Sequence, residues 1–547
     1  MPAQPITITP SAYTYPLLIK QLLHTPLAVA PDQEIVYADK QRFTYREFAT
    51  RIHRLGHALS RLSVQGGDTV AVMDWDSHRY LECFFAVPML GAVLQTVNIR
   101  LSPDQILYTL NHAKASVVLV NREFLPVLEQ IKGELVTAKT FVLLADDDPQ
   151  LPDGFAGEYE ALLAASPTHY DFPDFDENTR ATTFYTTGTT GLPKGVYFSH
   201  RQLVLHTLSV CSAIALAPSQ GRFHRDDVYM PLTPMFHVHA WGVPYIATLA
   251  GVKQVYPGRY MPEAILRLIE KEKVTFSHCV PTILHMLLLT PYGKQVDLSR
   301  WKVIIGGSAL TTGLAKAALG RGIDVFTGYG MSETCPILTL AQLDASDLAA
   351  EQEAGITVRV KTGRPVPLVA LRTVDPLMVD CPRDGKSVGE VVVRTPWLTQ
   401  GYLDNPEASE HLWDGGWLHT QDIGHIDPRG YLQVTDRIKD VIKTGGEWVS
   451  SLELEDIIGR HPGVSEVAVI GVPDEKWGER PLAMVVLKPE FADKVSVADI
   501  QAHVKVHADQ GHISKYGVPE NVRFVESLAR TSVGKLNKRA MRENLPK

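Results

Sequence analysis

The segment most suited to chemistry is a polar run of ten residues, Thr186-Thr-Gly-Thr-Thr-Gly-Leu-Pro-Lys-Gly195. Glycines let the backbone approach an oxyanion closely, N–H groups and hydroxyls donate hydrogen bonds, and one lysine adds positive charge. These residue types predict a loop that grips a polyphosphate through Thr186, Thr187, Gly188, Thr189, Thr190, Gly191 and Lys194. The run is not a Walker A loop, since Gly195 rather than Ser or Thr follows Lys194. The alternative is a Gly/Thr-rich surface loop without a ligand.

Further motifs follow along the chain in a fixed order. They are Gly328-Tyr-Gly-Met-Ser-Glu-Thr334, Thr420-Gln-Asp-Ile-Gly424, Asp436-Arg-Ile-Lys-Asp440, Lys443-Thr-Gly-Gly-Glu-Trp448 and Gly534-Lys-Leu-Asn-Lys538. Together with the polar run, they resemble the motifs of the adenylate-forming (AMP-binding) superfamily, which includes acyl-CoA synthetases, peptide-synthetase adenylation domains and beetle luciferases. The resemblance covers nearly the whole chain, and it is greatest to medium- and long-chain fatty acyl-CoA synthetases.

This resemblance implies an ATP-dependent acid:CoA ligase. A carboxylate is ionised at neutral pH, so its attack on the α-phosphorus of ATP needs no general base. The protein must supply alignment and charge neutralisation. Pyrophosphate leaves, and the acyl adenylate then passes its acyl group to CoA. The resemblance also implies Mg²⁺, with Thr189 and Glu333 as oxygen ligands, whereas a solvated carboxylate or a helix cap is the alternative for Glu333.

The nucleotide site is expected to have an aromatic wall and a carboxylate. Tyr329 offers a ring face for adenine, and Asp422 can accept hydrogen bonds from both ribose hydroxyls. A core tyrosine and a structural ion pair are the respective alternatives. The resemblance extends the ATP/AMP-binding set to Gly307, Ser308, Thr327, Gly328, Tyr329, Gly330, Ser332, Asp422, Arg437, Lys439 and Lys443.

Two lysines predict an enzyme with two working orientations. Lys535 matches the family lysine that reaches the site from the small domain during adenylation. Lys443, on the same domain, matches the lysine presented in the other orientation. Lys439 is the expected hinge residue, about which the small domain rotates and which also contacts the nucleotide.

The acid is expected to lie against the segment Pro234-Met-Phe-His-Val-His239-Ala-Trp-Gly242. His237 matches a family position near the carboxylate, and Val238 and Trp241 suit an apolar tail. Trp448 resembles the indole that gates the acyl tunnel of fatty acyl-CoA synthetases. His237 and His239 also form a His-x-His pair, but without a third ligand at a suitable spacing a metal site is the weaker interpretation.

Composition excludes several classes of protein. The chain has 547 residues, 45% apolar and 21% charged, and a formal charge of -8. This acidic balance argues against nucleic acid as a partner. Five scattered cysteines without CxxC spacing favour a reducing, cytoplasmic location. No apolar stretch is long enough to span a bilayer. Peripheral membrane contact and a homodimer stay open.

Element patterns predict a mixed α/β fold. Phe43–Leu62 and Tyr80–Gly91 have helical spacing, and Asp68–Asp74 and Ala115–Val120 are short apolar strands. The acid-rich stretch Asp146–Asn178 is expected to be a linker. We therefore expect a large multi-subdomain N-terminal domain of parallel βαβ sheets (1–435), a hinge (436–440) and a smaller, mobile α+β domain (441–547).

The acid itself is not legible in the sequence. Trp448 and Lys439 together favour a medium- to long-chain fatty acid. A CoA ligase for a short, sulfur-bearing or aromatic acid is the nearest alternative. An adenylation module feeding a carrier protein, a luciferase-like oxygenase and a non-catalytic nucleotide sensor are the alternatives of other classes.

Overall fold

A computed structural model describes residues 3–186, 192–218, 221–350, 352–444, 447–510, 513–531 and 535–545. Its largest part is built on two mainly parallel sheets. The side chains of residues 352, 447 and 448 lie outside the description. The expected mixed α/β architecture, with parallel sheets in a large N-terminal domain and a smaller C-terminal domain, is confirmed.

The first large sheet is parallel at its centre and antiparallel at both edges. Its strands, in spatial order, are Arg364–Pro365, Ile337–Leu340, Asp324–Gly330, Lys302–Ile305, Phe276–Cys279, Val228–Pro231, Lys253–Tyr256, Glu34–Tyr37 and Gln41–Thr44. Parallel strands that are covered on both faces are apolar along their length, as in the strand Lys302–Ile305, whose last three residues are buried.

The second large sheet is parallel except at one edge. Its strands, in spatial order, are Gly157–Glu158, Thr140–Leu144, Ala115–Asn121, Thr69–Met73, Val93–Thr96, Arg180–Tyr185 and Gly195–Ser199. The last two form an antiparallel hairpin in which Tyr185 is opposite Gly195. In the sequence, the polar run that was predicted to bind phosphate connects these two strands.

Helices cover the sheets and fill the space between them. In this part of the chain they are His24–Val29, Tyr45–Arg61, His78–Met89, Pro103–His112, Leu125–Ile131, Tyr159–Ala164, His200–Leu216, Val243–Ala250, Pro262–Glu272, Pro281–Leu289, Thr312–Leu319, Ala345–Ala349, Gln352–Arg359 and Pro406–Leu412. The main apolar core joins both sheets; Phe84, Phe184, Phe276 and Ile304 are among its members. This core fixes the two sheets relative to each other.

Local sequence explains where several helices begin. Thr44 and Glu47 form a reciprocal capping box at the start of Tyr45–Arg61, and Ser102 with Gln105 does the same for Pro103–His112. Such caps satisfy backbone N–H groups that have no partner within the helix. The predicted helices Phe43–Leu62 and Tyr80–Gly91 correspond to Tyr45–Arg61 and His78–Met89, within two residues at each end.

The stretch Asp146–Asn178 is not the plain linker that its composition indicated. It contains the helix Tyr159–Ala164, and the Tyr159 side chain is 1% exposed. Its hydroxyl donates a hydrogen bond of 2.6 Å to Oε2 of Glu82. The acidic residues around it mask two apolar anchors, Tyr159 and Leu163, that pack into the core.

Two smaller sheets follow. One is antiparallel and contains Ala370–Val374, Gly389–Arg394, Trp417–Ile426, Trp413–Asp414 and Leu432–Arg437. The other contains Glu447–Val449, Ile442–Thr444, Gly478–Leu487, Val464–Asp474 and Asn521–Phe524, and it packs with the helices Ser451–Gly459, Val497–Asp509 and Lys538–Glu543. The domain limits at residues 435 and 440 stay predictions, as does the mobility of the last domain.

No helix among the described residues is long and apolar enough to cross a membrane.

Candidate active site

The site lies at the carboxyl ends of parallel strands in the first large sheet, where such sheets place their ligands. Lys302–Ile305 and Asp324–Gly330 both end here. A cavity opens at this edge. The described residues that line it are His237, Val238, Trp241, Ile304, Gly306, Gly307, Gly328, Tyr329, Gly330, Met331, Ser332, Pro336, Ile337 and Lys535. Segments far apart in the sequence therefore share one cavity.

Asp422 organises one side of the site. Its Oδ2 accepts a hydrogen bond from the Tyr329 hydroxyl at 2.7 Å, and its Oδ1 accepts one from Nε of Arg437 at 3.2 Å. Asp422 is 5% exposed, so these two partners fix the direction of its carboxylate. Each carboxylate oxygen can accept a further hydrogen bond, which leaves Asp422 able to receive two hydroxyl donors.

Two glycines on this wall are required by close backbone approach. A Cβ at Gly330 would lie 1.7 Å from the carbonyl oxygen of Pro336, and a Cβ at Gly306 would lie 2.7 Å from that of Gly328. No side chain fits at those distances. The cavity wall is therefore formed by backbone at these points, which lets a ligand approach the wall closely.

Tyr402 joins two of the predicted phosphate-site residues. Its hydroxyl donates a hydrogen bond of 2.7 Å to Oε1 of Glu333, and Nζ of Lys194 lies 4.6 Å from the centre of its ring. Burial raises the pKa of Glu333, which the Tyr402 hydrogen bond and the cations of Arg437 and Lys194 partly offset. Sequence reasoning missed Tyr402, because nothing in the sequence marks a tyrosine 69 positions from its partner.

The described ends of the phosphate loop are fastened to each other. Thr186 N donates to the Lys194 carbonyl oxygen at 2.9 Å, and Lys194 N donates to Thr186 Oγ1 at 3.4 Å. Thr187, Gly188, Thr189, Thr190 and Gly191 lie outside the described residues. Their roles, and that of Thr189 toward a metal ion, stay predictions.

Glu333 fits the predicted role of a Mg²⁺ ligand. It is a hard oxygen donor of the kind that Mg²⁺ prefers. Tyr402 engages one of its carboxylate oxygens, Oε1, and the Lys194 cation lies 4.6 Å from the centre of the same tyrosine ring. A bound Mg²⁺ would supply positive charge beside the phosphates at this point.

Lys535 reaches the cavity from the C-terminal part of the chain. Its Nζ would lie 3.7 Å from a Cβ built on Gly307, and its Cε 3.0 Å from the same point. Burial, reinforced by the Arg437 cation, lowers the pKa of Lys535 to about 8, while Asp422 and Glu333 oppose that shift. Lys535 is therefore mostly protonated at neutral pH, and it loses its proton at a pH only slightly higher.

Lys443 and Lys439 are positioned differently from Lys535. Lys443 is exposed on the strand Ile442–Thr444, where its backbone N–H donates to Oε2 of Glu479 at 2.9 Å. Lys439 is exposed in the turn after Arg437. Neither is among the described lining residues. Trp448 lies opposite Lys443 in the strand pairing, and its side chain is outside the description.

His237 forms part of the opposite wall. Burial, with the cations of Lys535 and Arg100 nearby, lowers the pKa of His237 to about 3. Its imidazole is therefore neutral at physiological pH, and it can donate one hydrogen bond and accept one. This makes His237 a hydrogen-bonding group beside the cavity rather than a second cation.

Trp241 and Val238 contribute apolar surface to the lining of the cavity. The indole is 6% exposed, and its ring centre lies 5.0 Å from that of His278. His239 points elsewhere, since it packs against Phe84 and Phe184 at 5.7 and 5.3 Å between ring centres. No cluster of three or more His, Cys, Asp or Glu side chains in the described part of the chain could hold a metal ion.

Several predicted nucleotide residues are not among the described lining residues, namely Thr186, Lys194, Ser308, Thr327, Asp422, Arg437, Lys439 and Lys443. The Thr327 hydroxyl donates to the carbonyl oxygen of Arg359 at 2.9 Å and is turned away from the cavity. Ser308 is exposed, and its hydroxyl donates to the Gly307 carbonyl oxygen at 2.9 Å. Gly307, Gly328, Tyr329, Gly330 and Ser332 do line the cavity.

Comparisons with known proteins agree with this geometry. The family model "AMP-binding enzyme" matches residues 23–403, and the model "AMP-binding enzyme C-terminal domain" matches residues 453–535. A long-chain-fatty-acid–CoA ligase of Thermus thermophilus is 41% identical over 92% of this chain and 90% of its own. A 3-methylmercaptopropionyl-CoA ligase of Ruegeria lacuscaerulensis is 36% identical over 97% of both chains.

Solved structures include a similar protein with its adenylate bound. The anthranilate CoA ligase AuaEII in complex with anthranoyl-AMP has a TM-score of 0.84 and 26% identity, over 97% of this chain and 98% of its own. The family models, the relatives and the cavity at the strand ends lead to one conclusion. The chain belongs to the AMP-binding enzyme family and is an acyl-CoA ligase that works through an acyl adenylate.

Proposed function

We propose that this enzyme activates medium- to long-chain fatty acids with ATP and transfers them to CoA. The observation that carries the proposal is that Lys535, His237 and Tyr329 line one cavity, and that Tyr329 is hydrogen-bonded to Asp422. The polar groups suit the nucleotide, and Val238 and Trp241, which line the same cavity, suit a hydrocarbon tail. The Thermus relative, a long-chain-fatty-acid–CoA ligase, supports the same acid class.

In the first half-reaction, the acid's carboxylate oxygen forms a bond to the α-phosphorus, and the bond to the departing pyrophosphate breaks. We assign Lys535 to the charge that develops around the reacting oxygens, because its ammonium group lies beside Gly307 in the cavity. Fixed cations act most strongly where charge appears in the transition state. Asp422 binds the ribose hydroxyls, and the Tyr329 ring lies against adenine.

The β- and γ-phosphates of ATP are assigned to the polar run Thr186–Gly195 and to Glu333. Lys194 supplies a cation, and Glu333 would hold Mg²⁺ together with Thr189. Both Lys194 and Glu333 are held by Tyr402, which supports their acting together on the β- and γ-phosphates. The neutral imidazole of His237 is assigned to a hydrogen bond with the acid's carboxylate.

In the second half-reaction, the thiolate of CoA bonds to the acyl carbon and AMP leaves. We propose that the C-terminal domain turns about Lys439, so that Lys535 withdraws and Lys443 replaces it at the nucleotide. The outward position of Lys443 and the inward position of Lys535 support this order.

A cytoplasmic location is proposed from the five unpaired cysteines.

A ligase for a short, sulfur-bearing or aromatic acid is the second candidate. The Trp241 indole lines the cavity and packs against His278. A bulky ring at this position leaves less room for a long acyl chain than a small side chain would. The Ruegeria relative, named for a short sulfur-bearing acid, supports this candidate.

ATP–pyrophosphate exchange across acids separates the two candidates. The panel runs from acetate to palmitate and includes 3-(methylthio)propionate, benzoate and anthranilate, each repeated with CoA to follow thioester. Exchange greatest with C8–C16 acids supports the proposal. Exchange confined to short or aromatic acids supports the second candidate, and binding of ATP without exchange for any acid would leave only a nucleotide sensor.

A further inference from the structure

The wall that carries His237, Val238 and Trp241 has an unusual backbone. Val238, His239, Ala240 and Trp241 have φ angles of 48°, 53°, 48° and 59°, and Gly242 follows at 72°. We name residues 238–242 the left-handed turn. It is closed by hydrogen bonds from Ala240 N to the His237 carbonyl oxygen and from Gly242 N to that of His239, at 3.1 and 3.0 Å.

Left-handed backbone is unfavourable for L-residues and most of all for a β-branched one such as Val238. Four consecutive non-glycine residues in this region persist only where the surrounding structure holds them. The turn must therefore be fastened from outside.

Two buried side chains hold the residues immediately before the turn. Oδ1 of Asp76 accepts a hydrogen bond from Met235 N at 2.8 Å. Oγ1 of Thr96 donates one to the Phe236 carbonyl oxygen at 3.0 Å. Asp76 is 3% exposed and Thr96 is 1% exposed, so water does not compete for either bond.

Asp76 is itself fixed from the other large sheet. Its Oδ2 accepts a hydrogen bond from the Tyr260 hydroxyl at 2.7 Å, and its carbonyl oxygen accepts one from Gly258 N at 2.8 Å. Asp76 follows the strand Thr69–Met73, whereas Gly258 and Tyr260 follow the strand Lys253–Tyr256. The support of the turn thus spans both sheets.

We infer that Asp76 and Thr96 are positioning residues that hold the left-handed turn and thereby set the acid-binding wall of the site. This inference rests on the proposed function, in which His237, Val238 and Trp241 contact the acid. The nucleotide-side residues Tyr329 and Asp422 lie on other strands and are not bonded to Asp76 or Thr96. Substitution of Asp76 or Thr96 should therefore weaken binding of the acid and leave binding of ATP nearly unchanged.

Four substitutions separate positioning from a general loss of structure. Asp76→Ala removes the acceptor of Met235 N. Asp76→Asn keeps it, since the amide oxygen can accept from Met235 N while the amide N–H₂ donates to the Tyr260 oxygen. Thr96→Val removes the hydroxyl at nearly constant shape. Tyr260→Phe weakens the support of Asp76 without touching the turn and serves if Asp76→Ala does not fold.

The measurements are the KM for an acid that the wild-type enzyme activates, and the calorimetric Kd for a non-hydrolysable ATP analogue. We expect Asp76→Ala to raise the acid KM about tenfold or more with the ATP-analogue Kd changed less than about threefold. Asp76→Asn should stay within about threefold of wild type, with Thr96→Val and Tyr260→Phe between them. An equal loss of ATP binding, an unchanged acid KM, or an Asn variant as poor as Ala would overturn the inference.

A second readout does not depend on the reaction. Hydrogen exchange of peptides covering residues 234–242 should be faster in Asp76→Ala than in wild type or Asp76→Asn, because the Met235 amide loses its acceptor. Unchanged exchange in that segment would overturn the inference even if no acid is found. Faster exchange together with no activity toward any acid would instead count against the proposed function alone.

Discussion

At the scale of single residues, the site depends on keeping one amine charged in a confined place. The pKa of Lys535 is lowered to about 8, and that of His237 to about 3, with burial as the leading cause of both. One group is therefore a cation and the other neutral near pH 7. In the proposed adenylation step, charge at the reacting oxygens therefore comes from Lys535 rather than from His237.

The pKa of Lys535 predicts how adenylation depends on pH. A lysine is active as the cation, so its contribution is complete below pH 8 and is lost as the pH rises through that value. We expect kcat/KM for ATP–pyrophosphate exchange to fall above about pH 8, by roughly tenfold per pH unit. In Lys535→Arg the guanidinium stays charged. We therefore expect this variant to be slower overall but to lack the fall in kcat/KM, the alkaline limb of the pH profile. A limb near pH 8 retained in Lys535→Arg would contradict this assignment.

Tyr402 is predicted to serve Glu333 and Lys194 through different parts of its side chain. Tyr402→Phe removes the hydroxyl bonded to Glu333 but keeps the ring beneath Lys194. We expect it to raise the Mg²⁺ concentration needed for half-maximal exchange severalfold, with little change in the KM for ATP. Tyr402→Leu should also raise the KM for ATP about twofold to fivefold, because the lysine loses a cation–π contact. Titrations of Mg²⁺ and ATP check this, and identical behaviour of the two variants would refute the division of roles.

At the scale of elements, strand ends position the chemistry. The strand Asp324–Gly330 carries Gly328, Tyr329 and Gly330 into the cavity, and a pairing irregularity falls between Tyr329 and Gly330. The neighbouring strand Lys302–Ile305 delivers Gly306 and Gly307 to the same edge. Irregular pairing of this kind re-aims side chains beside a site.

Gly330→Ala should be strongly destabilising for this reason. The new methyl group would lie 1.7 Å from the Pro336 carbonyl oxygen, and backbone cannot yield as a flexible side chain can. We expect a melting temperature several degrees lower, measured by differential scanning fluorimetry. The matched control is Gly355→Ala, in the helix Gln352–Arg359, where the methyl group would meet Leu343 Cδ2 at 3.6 Å and the Asp347 carbonyl oxygen at 3.9 Å, both ordinary contact distances. An equal effect of both substitutions would show that the contact at Gly330 is not limiting.

Much of this element scale could be predicted from the sequence. Alternating apolar runs and capping residues located strands such as Ala115–Asn121 and helices such as Tyr45–Arg61 within a few residues. The left-handed turn could not be predicted, because Val238 and Trp241 individually disfavour such backbone and only tertiary contacts impose it. The helix Tyr159–Ala164 was missed because acidic neighbours mask its apolar anchors.

At the scale of the whole molecule, two distant parts of the chain contribute to the site. Lys535 enters from the C-terminal part to lie beside Gly307. The same two parts are also joined by a hydrogen bond of 3.3 Å, which Thr312 N, at the start of the helix Thr312–Leu319, donates to Oδ1 of Asp456. The order of the motifs in the sequence predicted which residues of the N-terminal and C-terminal parts contribute to the site. It could not predict Tyr402 or Asp76, whose roles arise from contacts between segments 69 and 159 positions apart.

The most direct test of the account compares the two half-reactions in Lys535→Ala, with Lys443→Ala as the matched control. With an acid that the wild-type enzyme activates, we predict that Lys535→Ala lowers ATP–pyrophosphate exchange at least about a hundredfold. The same variant should convert a supplied acyl adenylate and CoA to thioester within about threefold of wild type, and Lys443→Ala should show the reverse. Equal loss of both half-reactions in Lys535→Ala, or exchange that survives it, would contradict the assignment of Lys535 to adenylation.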